Sequence, residues 1–289
     1  MIAGLPEEEY LAPGHKACAG CPEAIIARLV TKAAGPNTVI VNSTSCLEVV
    51  SSQYPHNAWK LPWIHNAFEN AAPTASGIAA AFKKLGKDTN ILVFMGDGAA
   101  YDIGFGALSG MFERRDPVTV VVLNNEAYMN TGIQRSSATE YGAWTTTTPV
   151  GSIIKGKRRW PKPLTDIAAA HGIPYVANAS PAYAQDLFSK VKKGLQKKPS
   201  LINVIAPCPV GWKFDPSLTI HVARLAVETG AWVLYEVDEG QFKITVDVQE
   251  RKPVSEYLKV QGRFKHLSDD DVRTIQERID KAWESYKTN

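Results

Sequence analysis

Short apolar segments rich in β-branched residues alternate with helical patterns along most of the chain. The apolar segments predict β-strands at 38–42, 90–95, 118–123, 175–177 and 201–205. Helical spacing and alanine-rich composition predict helices at 22–33, 70–85, 103–114, 163–171 and 181–195. This alternation predicts an α/β fold built on a doubly wound, mainly parallel sheet. Ligands of such sheets bind at the carboxyl ends of the strands.

The pattern changes after residue 212. The later elements are predicted helices at 219–229 and 268–287 and a hairpin within 233–248, marked by Asp238-Glu239-Gly240. We therefore predict a ligand-binding domain of residues 1–212 and a C-terminal extension of residues 213–289. We expect the extension to pack on the domain or on partner subunits.

Composition and charge exclude several classes of protein. The 289 residues are 45% hydrophobic and 21% charged, which is typical of a soluble globular protein. A net charge of +3 is too small to indicate nucleic acid or an anionic membrane as a partner. No run of about 18 apolar residues predicts a membrane span. Residues 1–9 lack the features of a signal peptide, so we expect a cytoplasmic protein.

The long segment 131–161 shows little periodicity. A loop of this length inside a compact domain is typical of a lid or a binding surface. Its basic stretch, 155–159, is expected to be a solvated loop, and the alternative is a site for the phosphate groups of a ligand or for a partner.

Two polar motifs follow two of the predicted strands. Gly-Asp-Gly occupies 96–98 and Asn-Asn occupies 124–125, with 25 residues between them. Each strand end thus delivers an oxygen ligand, and the glycines free the backbone to approach phosphate. Mg²⁺ that carries a diphosphate prefers one or two protein oxygens besides the phosphate oxygens. Each motif alone is also ordinary turn chemistry, but the pair predicts a metal–diphosphate site.

The cysteines form a second candidate site. The chain has four, at Cys18, Cys21, Cys46 and Cys208, which is the number that one four-thiolate site requires. A 4Fe–4S cluster and a zinc ion use the same ligand set. Unrelated buried thiols are the third alternative, whereas a disulfide framework is not expected in so long a cytosolic chain.

The motifs together resemble those of the 2-oxoacid:ferredoxin oxidoreductases, and the chain is similar to the β subunit of their multi-subunit members. The Gly-Asp-Gly and Asn-Asn spacing is also the general signature of thiamine diphosphate enzymes. The likeness covers about residues 10–215 in the expected order. It rests on segments 14–21, 46–48, 67–71, 96–104, 125–132, 134–139, 142–145, 206–209 and 211–212.

The resemblance implies a fold of the thiamine diphosphate-binding type and an oxidative reaction. A 2-oxoacid, for which we expect pyruvate, would lose CO₂ on thiamine diphosphate. Electrons would leave singly through a 4Fe–4S cluster to ferredoxin, and coenzyme A would take the acyl group. Branched-chain 2-oxoacids, 2-oxoglutarate and oxalate are alternative substrates. A non-redox thiamine diphosphate decarboxylase and a zinc-stabilised binding module are the other classes of function.

Residue roles follow from the resemblance position by position. The cluster ligands would be Cys18, Cys21, Cys46 and Cys208. Mg²⁺ would be held by Asp97, Asn125 and the carbonyl of Ala127, with cofactor contacts from Gly96, Gly98, Asn130 and Thr131. Asn130 would lie near the reactive carbon as a catalytic group. Glu23 and Glu48 would lie near the cofactor, although a helix N-terminal carboxylate and a solvated carboxylate explain them equally well.

The resemblance also implies partners. The glutamate that activates thiamine belongs in this family to a pyrimidine-binding domain, which we do not find in this chain. We expect an α subunit to supply it, in a complex with a γ subunit and a ferredoxin-like δ subunit.

Overall fold

One sheet of eight strands forms the centre of the computed structural model, which describes residues 4–288. Residues 1–3 and 289, at the ends of the predicted domain and of its extension, lie outside the described residues. The strands are β1 (Thr38–Ser43), β2 (Trp63–Asn66), β3 (Asn90–Gly96), β4 (Thr119–Asn124), β5 (Ala127–Tyr128), β6 (Gln134–Arg135), β7 (Tyr175–Ala179), β8 (Ser200–Ile205), β9 (Tyr235–Asp238) and β10 (Gln241–Ile244). Strands β5 and β6 form a separate hairpin.

Helices separate most of the strands. They are α1 (Pro22–Ala34), α2 (Cys46–Ser51), α3 (Ala71–Leu85), α4 (Phe105–Glu113), α5 (Leu164–Ala170), α6 (Ala184–Gln196), α7 (Pro209–Trp212), α8 (Thr219–Glu228), α9 (Val254–Lys259) and α10 (Asp269–Thr288). Among residues 4–288, none of the helices combines the length and the apolar character that a membrane crossing requires.

The strand order places the candidate motifs side by side. The order is β10-β9-β7-β8-β4-β3-β1-β2, and every neighbouring pair from β7 to β2 is parallel. Register pairs Gly96 of β3 with Leu123 of β4, and Leu123 with Val204 of β8. The carboxyl ends of β8, β4, β3 and β1 therefore form one continuous edge. The predicted doubly wound, mainly parallel α/β fold is confirmed.

Two apolar layers cover the sheet because its buried strands alternate their side chains between the faces. Leu92 and Phe94 of β3 pack in the layer that contains α1 and α6, whereas Val93 and Met95 pack in the layer that contains α3, α4 and α5. The rigid strands thus hold their carboxyl ends in fixed positions.

The C-terminal residues extend the same sheet. Strand β9 pairs antiparallel with β7, and the turn Glu239-Gly240 joins it to β10, as the hairpin signal predicts. Helices α8, α9 and α10 pack in a third apolar cluster around Trp212. The division of the chain at residue 212 stays a prediction.

The predicted helix at 103–114 differs in its start. Residues Gly98–Ile103 form a π-helical turn, and α4 begins at Phe105. The Gly104 amide donates to the Ala99 carbonyl at 2.8 Å, and a β-carbon at position 104 would lie only 2.6 Å from that oxygen. Glycine therefore permits the wider turn directly after the Gly-Asp-Gly motif.

Six short elements carried no signal that we could use in the sequence. They are α2, α7, α9, β2, β5 and β6, of six, four, six, four, two and two residues. Segments this short span less than two helical turns or a few strand positions, so periodicity does not identify them.

Candidate functional site

Asp97 lies buried at the end of β3, where only 1% of it is exposed. Its carboxylate accepts a short hydrogen bond from the Ser136 hydroxyl, which in turn accepts from the Ala138 amide. Burial raises the pKa of the Asp97 carboxyl well above its usual range, although the Ser136 hydrogen bond opposes that shift. A buried carboxylate without a cation is unfavourable when ionised, so the position suits a metal ligand.

Asn125 lies at the end of the neighbouring strand and has both amide atoms engaged. Its Nδ2 donates to Oε1 of Glu23 at 2.8 Å, and its Oδ1 accepts from the Ala127 amide at 3.2 Å. The Trp212 indole donates to the Asn125 carbonyl at 2.8 Å. These contacts fix the side chain, and the second lone pair of Oδ1 stays available for a cation.

Glu126 continues this turn in a left-handed conformation, with φ of 65°. Its carbonyl accepts from the Thr139 hydroxyl at 2.5 Å, and its carboxylate accepts from Arg263 at 2.7 Å. The Arg263 guanidinium, 2% exposed, also stacks 3.7 Å from the Trp212 ring. Arg263 belongs to the C-terminal extension, so the extension helps to hold the Asn-Asn turn.

Asn124, the first asparagine of the motif, belongs to a different environment. Its Nδ2 donates to the Tyr101 hydroxyl at 3.2 Å. Asn124 also lines a cavity of about 220 Å³ between the sheet and α10, which is separate from the cleft that contains Asp97. Of the two asparagines, only Asn125 lines the cleft that contains Asp97.

Glu23 lies 3% exposed at the N-terminus of α1, against Asn125. Burial raises its pKa to about 7, whereas the Asn125 amide lowers it. Its Oε2 has no hydrogen-bond partner among residues 4–288. Its charge acts on Cys21, Cys46, Cys208 and Asp97, so Glu23 lies between the cysteines and the Gly-Asp-Gly turn.

A cleft opens over the ends of β3 and β4. Its lining includes Cys46, Phe68, Asp97, Asn125, Asn130 and Thr131. Asn130 and Thr131 are exposed, and the Thr131 hydroxyl donates to Oε1 of Gln134 at 2.6 Å. The structure thus brings the three predicted Mg²⁺ ligands into one cleft with the predicted cofactor contacts Gly96, Gly98, Asn130 and Thr131.

Gly98 forms part of the same cleft under Tyr128. A β-carbon at position 98 would lie 2.3 Å from the Tyr128 ring, so glycine is required here for packing. The Tyr128 hydroxyl donates to the Gly98 carbonyl at 3.1 Å. Gly96 is the last residue of β3, and Ala127, 4% exposed, begins β5.

The four cysteines lie on three separate segments and are all free thiols. Cys18 is exposed and the other three are half-buried. Burial raises the pKa of Cys21 to about 12, and it also raises the pKa of Cys46 and Cys208. Neighbouring thiolates add to these shifts, Cys208 acting on Cys21 and Cys46, and Cys18 acting on Cys208. Cys21, Cys46 and Cys208 therefore lie within electrostatic range of one another, and Cys18 lies within range of Cys208.

Local backbone geometry shapes three of these positions. The Cys21 amide donates to the Cys18 carbonyl at 3.0 Å across a turn that contains Gly20 at φ 69°. Cys46 is the first residue of α2, and Cys208 caps α7, its Sγ accepting from the Gly211 amide at 3.4 Å. Within the described residues 4–288, no three His, Cys, Asp or Glu side chains are arranged around a single-ion position.

The structure does not decide the predicted role of Glu48, but it corrects the prediction for Lys157. Glu48 accepts from the Ser52 hydroxyl at 3.0 Å and lies 3.7 Å from the His65 ring, so its place near a cofactor stays a prediction. The prediction of a solvated loop at 155–159 is wrong for Lys157. Only 2% of Lys157 is exposed, because its ammonium donates to the carbonyls of Ser137 and Thr139, beside the group that holds Asp97.

Some of the residues that support the site had no role in the sequence-based prediction. Ser136 and Thr139 lie within one of the motif segments on which the resemblance rests. A hydroxyl group that donates a hydrogen bond to Asp97 could therefore have been sought there. Trp212 was also within the motifs. Arg263 carried no local signal, because its partner Glu126 is 137 positions away in the sequence.

Replacement of Arg263 with Met is expected to destabilise the protein by about 3–5 kcal/mol, because it leaves the Glu126 carboxylate buried and unpaired. Urea denaturation measures the change. The control is Arg251→Met, which removes an ion pair of the same length, 2.7 Å, with Asp280. That pair is more exposed, since 21% of the Arg251 side chain and 43% of the Asp280 side chain are accessible to solvent. That loss should stay below about 1 kcal/mol. Equal losses in the two variants would contradict the buried role of Arg263.

Comparison with known proteins extends the picture from the site to the whole chain. Residues 20–204 match the family model described as thiamine pyrophosphate enzyme, C-terminal TPP binding domain. A pyruvate synthase subunit PorB of Methanocaldococcus jannaschii is 52% identical over 289 residues, which cover 97% of each chain. A ketoisovalerate oxidoreductase subunit VorB of Pyrococcus furiosus is 42% identical, covering 98% of this chain and 94% of the relative. A chain of the solved 2-oxoglutarate:ferredoxin oxidoreductase of Magnetococcus marinus is similar in fold, with a TM-score of 0.61 at 18% identity, over 77% of this chain and 82% of that one.

Proposed function

We propose, from the premise that the chain belongs to the β-subunit family of the 2-oxoacid:ferredoxin oxidoreductases, that it binds thiamine diphosphate, Mg²⁺ and a 4Fe–4S cluster. The complete enzyme would oxidatively decarboxylate pyruvate, pass electrons singly to ferredoxin and transfer the acetyl group to coenzyme A. Pyruvate is favoured because the identity to pyruvate synthase subunits exceeds that to the ketoisovalerate enzyme.

The observation that carries the proposal is the order of four adjacent strand ends. Cys208 follows β8, Asn125 follows β4, Asp97 follows β3 and Cys46 follows β1. The proposed metal–diphosphate site would thus lie between two of the cysteines along a single sheet edge. Single-electron transfer requires a short path between the two cofactors, and this juxtaposition supports one.

The residues of the cleft fit Mg²⁺ and a diphosphate. Asp97 would contribute the charged oxygen, and Asn125 and the Ala127 carbonyl would contribute neutral ones, a donor set of the hard oxygen type that Mg²⁺ prefers. Ser136 would orient the Asp97 carboxylate by its hydrogen bond. Asn130 and Thr131, exposed in the same cleft, would contact the reactive end of the cofactor and its diphosphate.

Glu23 would join the two sites. Its buried Oε2 lacks a hydrogen-bond partner within residues 4–288, which fits a donor group supplied by a bound cofactor. Its Oε1 already orients Asn125. We assign Glu23 to positioning the Asn125 amide and to contacting the cofactor from the side of the cysteines.

When bound, thiamine diphosphate supplies the ring that stabilises the carbanion left after CO₂ departs, and the cluster supplies the one-electron acceptor. This chain's own residues bind and orient both groups. Asp97, Asn125 and Glu23 are themselves buried from solvent, so their polar groups would act on the cofactor with little competition from water.

The subunit would be incomplete alone. The matched family model describes only a C-terminal binding domain, and the relatives are named as subunits. We propose that an α subunit covers the cleft and supplies the glutamate that activates thiamine, and that γ and ferredoxin-like δ subunits complete the complex.

Reconstitution tests the proposal. The complex assembled under anaerobic conditions is expected to reduce ferredoxin when given pyruvate and coenzyme A, and the cofactor-loaded subunit alone should release no CO₂ from pyruvate. A turnover screen with branched-chain 2-oxoacids, 2-oxoglutarate and oxalate identifies the substrate. Decarboxylation by the isolated subunit, or a complex that oxidises none of these acids, would refute the assignment.

A further inference from the structure

A projecting turn on the rim of the cleft carries two large apolar side chains in water. We define the rim loop as residues 146–156. Ile153 is 91% exposed and Ile154 is 62% exposed at its tip, and Val150 beside them is 43% exposed. Exposed apolar groups that cluster in this way mark interaction surfaces.

The rim loop is a defined structure. The Gly151 amide donates to the Ile154 carbonyl at 2.9 Å, and Val150 and Lys155 form a bridge at the neck of the turn. Because the turn is closed by backbone hydrogen bonds, it presents the two isoleucines at low entropic cost to a partner.

The base of the rim loop is attached to the segment that directly follows the cleft-lining residues Asn130 and Thr131. The Thr146 hydroxyl donates to the Gly132 carbonyl at 2.7 Å, and its amide donates to the Ile133 carbonyl at 3.0 Å. The Arg135 amide donates to the Thr147 hydroxyl at 2.9 Å. Residues 132–135 continue directly from Asn130 and Thr131. The segment that anchors the rim loop therefore also carries two of the predicted cofactor contacts.

The chain segment that carries the tip is basic, and one of its cations, Arg158, is paired with Asp271 of α10 at 2.7 Å. Arg135, Lys155 and Arg159 are exposed on this rim. Glu140 is the sole acidic residue between positions 130 and 162, and its carboxylate accepts from the neighbouring Tyr141 amide at 2.7 Å. A surface complementary to this one is an apolar pocket bordered by carboxylates.

We propose that the rim loop docks the subunit that completes the cleft, with Ile153 and Ile154 entering an acidic-bordered apolar pocket on that subunit. The inference rests on the proposed function in one respect, that a separate subunit covers the cleft. The location follows from the loop's anchorage to the segment that continues from the cleft-lining residues Asn130 and Thr131. The character of the partner surface follows from the apolar tip and the basic residues beside it.

The test compares assembly of Ile153→Asp/Ile154→Asp with assembly of the unchanged chain. Titration of the full-length chain with the α subunit, followed by analytical ultracentrifugation, is expected to show a dissociation constant raised by about 100-fold or more, as for centrally buried apolar anchors. The control is Leu85→Asp. Leu85 is 65% exposed at the end of α3, near the amino end of β3, and its replacement should change the constant by less than about threefold.

Further measurements separate the possible failures. Binding of thiamine diphosphate with Mg²⁺ by the double variant should match the unchanged chain, which shows that the cleft is intact. Ile153→Ser/Ile154→Ser, a milder change, should weaken assembly in the same direction. Lys155→Glu should weaken assembly by about 10-fold at low salt and less at high salt.

Assembly of both double variants with unchanged affinity would overturn the docking role and leave the proposed function standing. Self-association of the unchanged chain that the double variant loses, with α-subunit binding retained, would also overturn it and identify a second copy as the occupant. A complex that assembles through the rim loop but oxidises no 2-oxoacid would refute the proposed function alone.

Discussion

Replacement of Asp97 with Asn is expected to lower the affinity for Mg²⁺, measured together with thiamine diphosphate, by about 1000-fold or more. The amide keeps the shape of the side chain and can still accept from Ser136, so the change removes charge and little else. A unit charge pair about 4 Å apart at an effective dielectric constant of about 20 contributes about 4 kcal/mol, which is about three decades in affinity. Calorimetric titration of the anaerobic full-length chain measures the loss.

The same substitution should leave the cofactor-free protein as stable as before, or more so. Burial raises the pKa of Asp97 because the ionised form is poorly solvated, and a neutral amide avoids that cost. Cofactor binding should then stabilise the unchanged chain and fail to stabilise the variant. A variant that is destabilised without cofactor would indicate that Asp97 is a structural residue.

Two comparison variants test whether the loss of Mg²⁺ affinity is specific to the charge of Asp97. Asp102→Asn changes charge in the same turn, where the carboxylate accepts from the Ser137 amide at 3.0 Å, and it should leave Mg²⁺ affinity within about threefold. Ser136→Ala keeps the charge of Asp97 but removes the hydrogen bond that orients it. We expect an intermediate loss of about 10–100-fold, the usual effect of removing a group that orients a metal ligand.

The sequence was sufficient to predict which strand ends meet. Periodicity identified the strands that precede Asp97 and Asn125, and parallel strands joined by helices carry their carboxyl ends to the same edge. The cysteines could be grouped by their number, and Cys46 and Cys208 each follow a predicted strand, but nothing local indicated that these two strands flank the pair that carries the motifs. That placement depends on the strand order, which is a property of the whole fold.

The supporting contacts were beyond prediction for a related reason. Arg263 contacts Glu126, and Lys157 contacts the carbonyls of Ser137 and Thr139, through pairs that no periodic pattern joins. Lys157 in particular lies in a stretch of basic residues that composition assigns to solvent. Burial of a single lysine within such a stretch is decided by the carbonyl groups that the fold brings to it, and those become known only from the structure.

Replacement of Cys46 with Ser is expected to abolish the iron–sulfur site while sparing the thiamine site. Acid-labile sulfide and iron in the anaerobic chain should fall from about four of each to almost none, because a 4Fe–4S cluster requires four thiolates and the chain has four cysteines. Thiamine diphosphate with Mg²⁺ should still bind within about threefold, since Asp97 and Asn125 are unchanged. Ser45→Ala is the matched control, because it removes the cap of α2 at the Glu48 amide but keeps every thiol.

The metals found in the unchanged chain separate the three classes of cysteine site. About four irons and four sulfides per chain would support the cluster. One zinc ion per chain would identify a structural zinc site, and the absence of both metals would identify the cysteines as unrelated thiols. If Cys46→Ser loses thiamine binding together with iron, the two sites form one structural unit. Glu23 would be the link, because it contacts Asn125 and its charge raises the pKa of Cys21, Cys46 and Cys208. Loss of iron alone would show that a single sheet edge holds two sites that bind their cofactors independently.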